Sequence, residues 1–237
     1  MKRSVSWVPW MTIASNLQDI QDRIRLAALA AGRDPASVRL VAVSKTRPAA
    51  DVLEACRAGQ TVFGENYVQE LVAKTAEVTG APEWHFIGHL QSNKVRQVAG
   101  LVAMIHSVDR LSLAEEVSRQ WGTLDRRCDI LVQVNISGEA SKSGTSEAGA
   151  LQLVRAVSAL EHVRIRGLMT MPPFFDDPEA ARPFFAGLRR LAQRIEAEGI
   201  PGVEMRELSM GMSGDFEAAI QEGATLVRVG TSIFGAR

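Results

Sequence analysis

The chain has 237 residues, of which 46% are hydrophobic, and 27 lysines and arginines balance 27 aspartates and glutamates. This hydrophobic content is enough for a large core, which excludes intrinsic disorder as a description of the whole chain. A net charge of zero gives no support to wholesale binding of nucleic acid or of an acidic membrane surface.

The cysteines and the N-terminal segment indicate the cellular compartment in which the protein is expected. Cys56 and Cys128 are far apart in the sequence and fall within or beside apolar runs, which favours buried, reduced thiols. No apolar run reaches the length of a membrane span, and residues 1–10 lack the apolar stretch of a secretion signal. We therefore expect a cytoplasmic protein whose residues 1–11 form a flexible extension.

Helical and strand-like patterns alternate along the rest of the chain. Apolar residues recur at helical spacing over residues 13–31, and Gly32 ends this leading helix. The predicted strands cover residues 38–45, 62–64, 84–88, 101–108, 130–136, 163–171, 204–210 and 226–229. The predicted helices between them cover residues 48–58, 68–78, 92–99, 111–121, 147–160, 178–198 and 215–221, and residues 137–146 are a loop rich in glycine and serine.

Eight strand-like runs separated by seven helical runs predict a parallel sheet with helical crossovers. This number of units fits a closed (β/α)8 TIM barrel with an extra N-terminal helix, whereas an open, doubly wound sheet typically has fewer strands. No change of composition marks a linker, and we interpret residues 12–237 as one domain.

Lys45 ends the first predicted strand. Alternation places its side chain on the same side as Val41 and Val43, a poor environment for a surface ammonium. Two interpretations remain open, because the side chain could extend past the strand end into solvent or could be held inward for chemistry. In a barrel the carboxyl ends of the strands form the functional face, which favours the second interpretation.

Two loops near the end of the sequence have the composition of an anion site. The seventh predicted strand leads into Ser209 and Ser213, and the eighth leads into Gly230 and Thr231. Glycine lets backbone N–H groups approach an anion, hydroxyl groups add donors, and a helix start adds a favourable dipole. The alternative is that Ser213 only caps the following helix and Gly230 only forms a turn.

Arg228 lies within the last strand, where a barrel buries both faces, and a buried guanidinium needs an acceptor. The acceptor is either a carboxylate such as Glu207 or a ligand atom. His85 and His89 have no carboxylate or cysteine set at metal-ligand spacing, so we predict no metal site. We interpret His106, like His162, as incidental.

These residues together indicate a phosphorylated aldehyde cofactor. Lysine forms a Schiff base with pyridoxal 5'-phosphate, whose phosphate needs an anchor on the far side of the ring. From the residues alone, a Schiff base with a sugar phosphate, as in aldolases, remains the alternative.

Six motifs then identify a family. They are VAVSKT (41–46), FGENY (63–67), WHFIGHLQSNK (84–94), GLMTM (167–171), LSMGMS (208–213) and RVGTSIFG (228–235). On these motifs the chain, from about residue 12 onward, closely resembles the pyridoxal phosphate homeostasis protein family, whose members have an alanine-racemase-like barrel. The resemblance implies a set of cofactor-binding residues: Lys45 as the Schiff-base lysine, Ser209, Ser213, Gly230 and Thr231 around the phosphate, Arg228 facing the pyridine nitrogen, and Asn66 beside the ring.

The resemblance also implies a function. It indicates a protein that binds pyridoxal phosphate, limits the free aldehyde and delivers it to apoenzymes, with little or no turnover. The alternative is an amino-acid racemase, but the related racemases use a second domain and a tyrosine from a partner subunit. Here the only tyrosine is Tyr67 and the sequence ends at Arg237, just after the eighth strand. We expect a monomer, with a dimer as the alternative, and neither nucleic-acid nor membrane partners.

Overall fold

The computed structural model describes residues 12–139 and 142–235, so the predicted flexible extension lies outside the described residues. Nine strands are described: β1 (Arg39–Val43), β2 (Val62–Glu65), β3 (Glu83–Phe86), β4 (Met104–Val108), β5 (Cys128–Asn135), β6 (Thr145–Ser146), β7 (Val163–Met169), β8 (Val203–Ser209) and β9 (Leu226–Val229). The α-helices are α1 (Ile13–Ala30), α2 (Ala49–Arg57), α3 (Val68–Glu77), α4 (Val95–Val98), α5 (Leu111–Gly122), α6 (Glu147–Ser158), α7 (Arg182–Ala197), α8 (Phe216–Gln221) and α9 (Thr231–Phe234).

Eight of these strands close into a parallel barrel. The order around it is β4, β3, β2, β1, β9, β8, β7 and β5, and pairing of β4 with β5 completes the ring. The two-residue strand β6 pairs only with β5, outside the ring. Helix α1 precedes the first strand and packs against α8 and α9. The predicted (β/α)8 barrel with an N-terminal helix is therefore confirmed.

The core has two layers because alternate residues of each strand face opposite sides. Leu40 and Ala42 belong to the outer layer, between the strands and the surrounding helices. Val41 belongs to a smaller apolar cluster that fills part of the barrel interior. The cluster members are Val41, Val62, Met104, Leu131, Met169 and Leu226. The remaining interior positions are available for polar groups, which form the site described below.

Several element boundaries differ from the prediction. Strand β1 ends at Val43 because the chain turns directly after it, and Thr46 adopts a left-handed backbone with φ 64°. The predicted helix over residues 92–99 is a 3₁₀ turn (Ser92–Lys94) followed by the single turn of α4. The prediction missed β6 and α9, because two and four residues are too few to show a periodic pattern.

Two other expectations concern cysteines and membrane spans. Cys56 and Cys128 are both free thiols, as predicted, with Cys128 buried and Cys56 half-buried. Across residues 12–139 and 142–235, no helix combines the length and apolar character needed to span a bilayer.

Candidate functional site

A cavity of about 270 Å³ opens at the carboxyl ends of the barrel strands. Val43 and Lys45 both line it, at the end of the strand whose Val41 belongs to the interior cluster. The predicted alternation therefore holds, and Lys45 faces this cavity rather than only bulk solvent. Six of the seven predicted cofactor-binding residues line the cavity together: Lys45, Asn66, Ser213, Arg228, Gly230 and Thr231.

The two predicted anion-binding loops meet at one wall of the cavity. The Gly230 N–H donates to Ser213 Oγ at 3.3 Å, which joins the loop after β8 to the loop after β9. A Cβ atom at position 230 would lie 3.0 Å from the Val43 carbonyl oxygen, so glycine allows this close approach to β1. Within the described part of the chain, the Ser213 hydroxyl proton has no acceptor, and it remains available to a ligand.

The simpler interpretation of Ser213 as a helix cap is wrong. Helix α8 begins at Phe216, with Asp215 at its N-cap position. One Asp215 carboxylate oxygen accepts a hydrogen bond from the Met212 N–H at 2.6 Å. Burial raises the pKa of Asp215, partly offset by this hydrogen bond and by the charge of Arg228.

Asn66 lines another part of the cavity, and Gly88 lies against the Asn66 backbone. The Asn66 Oδ1 atom is buried, and none of the described residues donates a hydrogen bond to it. A Cβ atom at position 88 would lie 2.3 Å from the Asn66 carbonyl oxygen, so only glycine allows the loops after β2 and β3 to touch here. An unsatisfied buried acceptor beside a cavity is a group that a ligand donor would pair.

Arg228 is buried between the cavity and the barrel interior. Its guanidinium donates to Ser209 Oγ at 2.5 Å and to the Thr170 carbonyl oxygen at 3.0 Å. The proposed pairing with Glu207 is wrong, because that carboxylate binds Arg39 at 3.1 Å. Burial lowers the pKa of Arg228 to about 10, so the side chain is still a cation at neutral pH.

Ser209 is the one predicted site residue that does not line the cavity. It is completely buried, and its hydroxyl lies between the Arg228 guanidinium and His106 Nδ1, which is 2.9 Å away. Strands β4 and β8 are not neighbours in the barrel, so this contact crosses the interior.

The chain of contacts continues through a second histidine. His106 Nε2 lies 2.9 Å from His85 Nδ1, and His85 Nε2 lies 2.7 Å from a carboxylate oxygen of Glu83. The hydrogen bond from His85 holds the pKa of Glu83 below its usual value, and burial holds the pKa of His106 well below its usual value.

The end groups set the proton positions in this chain. A guanidinium only donates and a carboxylate only accepts. When each imidazole carries its proton on Nε2 alone, every hydrogen bond from Arg228 through Ser209, His106 and His85 to Glu83 points the same way. We call these five residues the interior chain.

The interpretation of His106 as incidental was therefore wrong. A useful signal was present in the sequence, since His106 shares its strand face with Met104, an interior residue. A histidine buried at such a position needs hydrogen-bond partners. Among the residues that the structure describes, no group of three or more histidine, cysteine or carboxylate side chains is arranged to hold a metal ion.

Comparison with known proteins agrees with this geometry. The family model described as alanine racemase, N-terminal domain, matches residues 15–237. A relative from Pseudomonas aeruginosa, named pyridoxal phosphate homeostasis protein, is 49% identical over 227 residues that cover 95% of this chain and 96% of the relative. The chain belongs to the pyridoxal phosphate homeostasis protein family. A further member, from Escherichia coli K12, is 45% identical and covers 95% of this chain and 97% of its own length.

Solved structures extend the comparison. PipY of Synechococcus elongatus, whose structure has PLP bound, is 40% identical to this member of the pyridoxal phosphate homeostasis protein family, with a TM-score of 0.83. The match covers 94% of this chain and all of PipY. Alanine racemase from Corynebacterium glutamicum is only 16% identical, with a TM-score of 0.70, and covers 93% of this chain and 62% of the racemase. That likeness concerns the fold alone.

Proposed function

We propose that this protein binds pyridoxal 5'-phosphate and takes part in its intracellular homeostasis and delivery, with little or no catalytic turnover. One observation carries the proposal: a lysine, the paired loops of Ser213 and Gly230, and a buried arginine line one cavity. The relatives named pyridoxal phosphate homeostasis protein and the PipY structure with PLP bound support the same ligand.

Each cavity residue has a role in this proposal. Lys45 supplies the amine that forms a Schiff base with the cofactor aldehyde and releases one water molecule. The Ser213 hydroxyl and the backbone N–H group of Thr231 hold the phosphate, and the Gly230 N–H, which donates to Ser213 Oγ, orients that hydroxyl. Asn66 lies beside the ring.

Ser209 has a different role from the one that the resemblance implies. Its hydroxyl is already used by Arg228 and His106, at 2.5 and 2.9 Å. We therefore assign Ser209 to positioning of Arg228, and not to direct contact with the phosphate.

Arg228 bears on the balance between binding and catalysis. When bound, pyridoxal phosphate supplies an electrophilic aldehyde and a ring that accepts electrons best when its nitrogen is protonated. The Arg228 cation, donating toward that nitrogen, disfavours its protonation. Tyr67, the only tyrosine, is half exposed and does not line the cavity. These features favour a binding protein over the alternative, a racemase that uses Lys45 as its base.

The proposal has further parts. We place the protein in the cytoplasm, which agrees with its two free thiols. We regard residues 12–237 as one domain. We expect apoenzymes that depend on pyridoxal phosphate to receive the cofactor, and we expect the protein to act as a monomer, with a dimer as the alternative.

The deciding experiment is an absorbance titration with pyridoxal phosphate for the wild type, Lys45→Ala and Lys142→Ala. Lys142 is the matched control because its Nζ lies 3.5 Å from the carbonyl of Met171, near the cavity mouth. We expect a Schiff-base band in the wild type and in Lys142→Ala, and only free aldehyde in Lys45→Ala. A wild type without the band, or a band retained in Lys45→Ala, would contradict the assignment.

A second measurement separates the binding protein from a racemase. The purified protein, loaded with pyridoxal phosphate, is incubated with L-alanine and assayed for D-alanine. We expect a rate no higher than that of free pyridoxal phosphate at the same concentration. A rate well above it, abolished in Lys45→Ala, would establish the racemase alternative.

A further inference from the structure

Two side chains of helix α3 hold the turn that carries Lys45. Lys74 Nζ donates to the Ser44 carbonyl oxygen at 2.7 Å. The Thr46 N–H donates to a carboxylate oxygen of Glu70 at 2.7 Å. These two groups belong to the two peptide bonds on either side of Lys45, so both are fixed by side chains from one helix.

All three N–H donors of the Lys74 ammonium are used. Besides Ser44, its ammonium contacts Glu65 at 2.6 Å and Glu70 at 3.0 Å. An ammonium has three N–H donors, and each now has an acceptor. Only 6% of the Lys74 side chain is exposed, and the Glu65 side chain is completely buried.

Ser44, the residue before Lys45, binds the same carboxylate as Lys74. The Ser44 hydroxyl donates to the Glu65 oxygen that also contacts Lys74, at 2.7 Å. The other Glu65 oxygen is buried and, within the described residues, has no hydrogen-bond donor. Burial raises the pKa of Glu65, and hydrogen bonds from Lys74 and Ser44 oppose that effect. A buried ion pair of this kind costs desolvation and does not by itself explain stability, so another role is required.

The backbone conformation of the turn after Lys45 indicates what this role is. Thr46 has φ 64°, in the left-handed region that a β-branched residue rarely adopts. Such a conformation persists only where its surroundings hold it, and it is found mainly at functional sites. Here Glu70 binds the amide of Thr46, directly after the lysine.

We propose that Lys74 and Glu70 are positioning residues for Lys45, which fix the direction in which its amine enters the cavity. The chemistry of Lys45 rests on the proposed function. The support of the turn does not, because it is a property of the protein without any cofactor.

The first test measures hydrogen exchange of the Thr46 amide in the cofactor-free protein. We expect Glu70→Ala to accelerate exchange by about ten- to a hundredfold, the value of a hydrogen bond to a charged group. Glu77→Ala is the matched control, an exposed glutamate on the same helix, and should leave the Thr46 rate unchanged. Glu70→Gln retains an acceptor oxygen and should restore most of the protection.

The second test measures Schiff-base formation. Lys74→Met and Glu70→Ala are mixed with pyridoxal phosphate, and the bond is trapped by borohydride reduction and quantified by mass spectrometry. We expect the rate of formation to fall by about tenfold or more, because the amine no longer has a fixed approach. Affinity for inorganic phosphate, measured by calorimetry, should change less than twofold, since among the described residues no hydrogen bond or ion pair joins the Ser213 and Gly230 loops to Lys74 or Glu70.

The outcomes separate the two proposals. Equal Thr46 exchange in Glu70→Ala and Glu77→Ala, or unchanged Schiff-base formation in Glu70→Ala, would overturn the positioning role. If Lys74→Met does not fold, the Glu70 variants still decide, because 29% of that side chain is exposed. A Schiff-base band retained in Lys45→Ala would instead overturn the assignment of Lys45, and the exchange result would stand.

Discussion

Replacement of Ser209 by alanine tests the interior chain most directly. The hydroxyl of Ser209 accepts from Arg228 at 2.5 Å and lies 2.9 Å from His106 Nδ1. Ser209→Ala removes both contacts and leaves a buried guanidinium N–H and a buried imidazole nitrogen without partners. The side chains around the site are completely or almost completely buried, so bulk water does not replace the missing oxygen.

The expected magnitude follows from these two groups. A buried polar group left without a partner costs about 1–3 kcal/mol, so two such groups cost about 2–6 kcal/mol. For a protein of this size, each kcal/mol lowers the melting temperature by roughly 2–4 °C. We therefore expect the melting temperature of cofactor-free Ser209→Ala to fall by about 4–24 °C.

The assay combines thermal unfolding with phosphate binding. Calorimetry gives the melting temperature without cofactor, and titration with inorganic phosphate gives the affinity of the anion loops. Ser213→Ala is the matched control, because Ser213 is half-buried and lines the cavity. We expect it to weaken phosphate binding by about tenfold, the loss of one hydrogen bond to a charged group, with little change in melting temperature.

The opposite pattern would refute this reasoning. If Ser209→Ala melted like the wild type and bound inorganic phosphate more weakly, Ser209 would be a phosphate ligand, as the family resemblance implies. The interior chain would then have no role in holding Arg228.

Three other changes give further predictions. Burial holds the pKa of His106 well below that of a histidine in the unfolded chain, about 6.5, so the unfolded chain takes up this proton at a higher pH than the folded chain. The free energy of unfolding should therefore decrease as the pH drops below 6.5, by at most about 1.4 kcal/mol per pH unit. Urea denaturation at several pH values should show a weaker pH dependence of this free energy for His106→Leu. Gly88→Ala places a Cβ atom 2.3 Å from the Asn66 carbonyl, so we expect a loss of about 1–3 kcal/mol in thermal unfolding and weaker binding in a pyridoxal phosphate titration. Arg228→Gln removes the cation beside the cavity, and the pH titration of the bound cofactor's absorbance should shift; an unaltered titration would remove the proposed role of Arg228.

The barrel was predictable because its signals are local. Strand and helix periods appear within windows of about ten residues, and their alternation is enough to predict a parallel barrel. The barrel then predicts that the carboxyl ends of the strands meet. The sequence alone is therefore enough to group Lys45 with the loops of Ser213 and Gly230, although 168 residues separate Lys45 from Ser213.

The hydrogen-bond partners of the buried side chains were not predictable in the same way. A strand pattern gives the face on which a side chain lies, but it does not identify the hydrogen-bond partner on the opposite side of the barrel interior. His106 and Ser209 are 103 residues apart and belong to strands that do not pair. The sequence predicts that Arg228 is buried, yet its acceptors are a hydroxyl and a carbonyl instead of the Glu207 carboxylate. These hydrogen-bond pairings depend on side-chain positions that only the folded barrel defines.

The turn at Thr46 also restricts how this protein can be engineered for stability. Glycine adopts a left-handed backbone without steric cost, so Thr46→Gly is an obvious choice for relieving strain in the folded chain. The same substitution increases the freedom of the unfolded chain and loosens the segment next to Lys45. Gains in thermal resistance are therefore better sought on the exposed faces of the outer helices, where substitutions leave the shape of this turn unchanged.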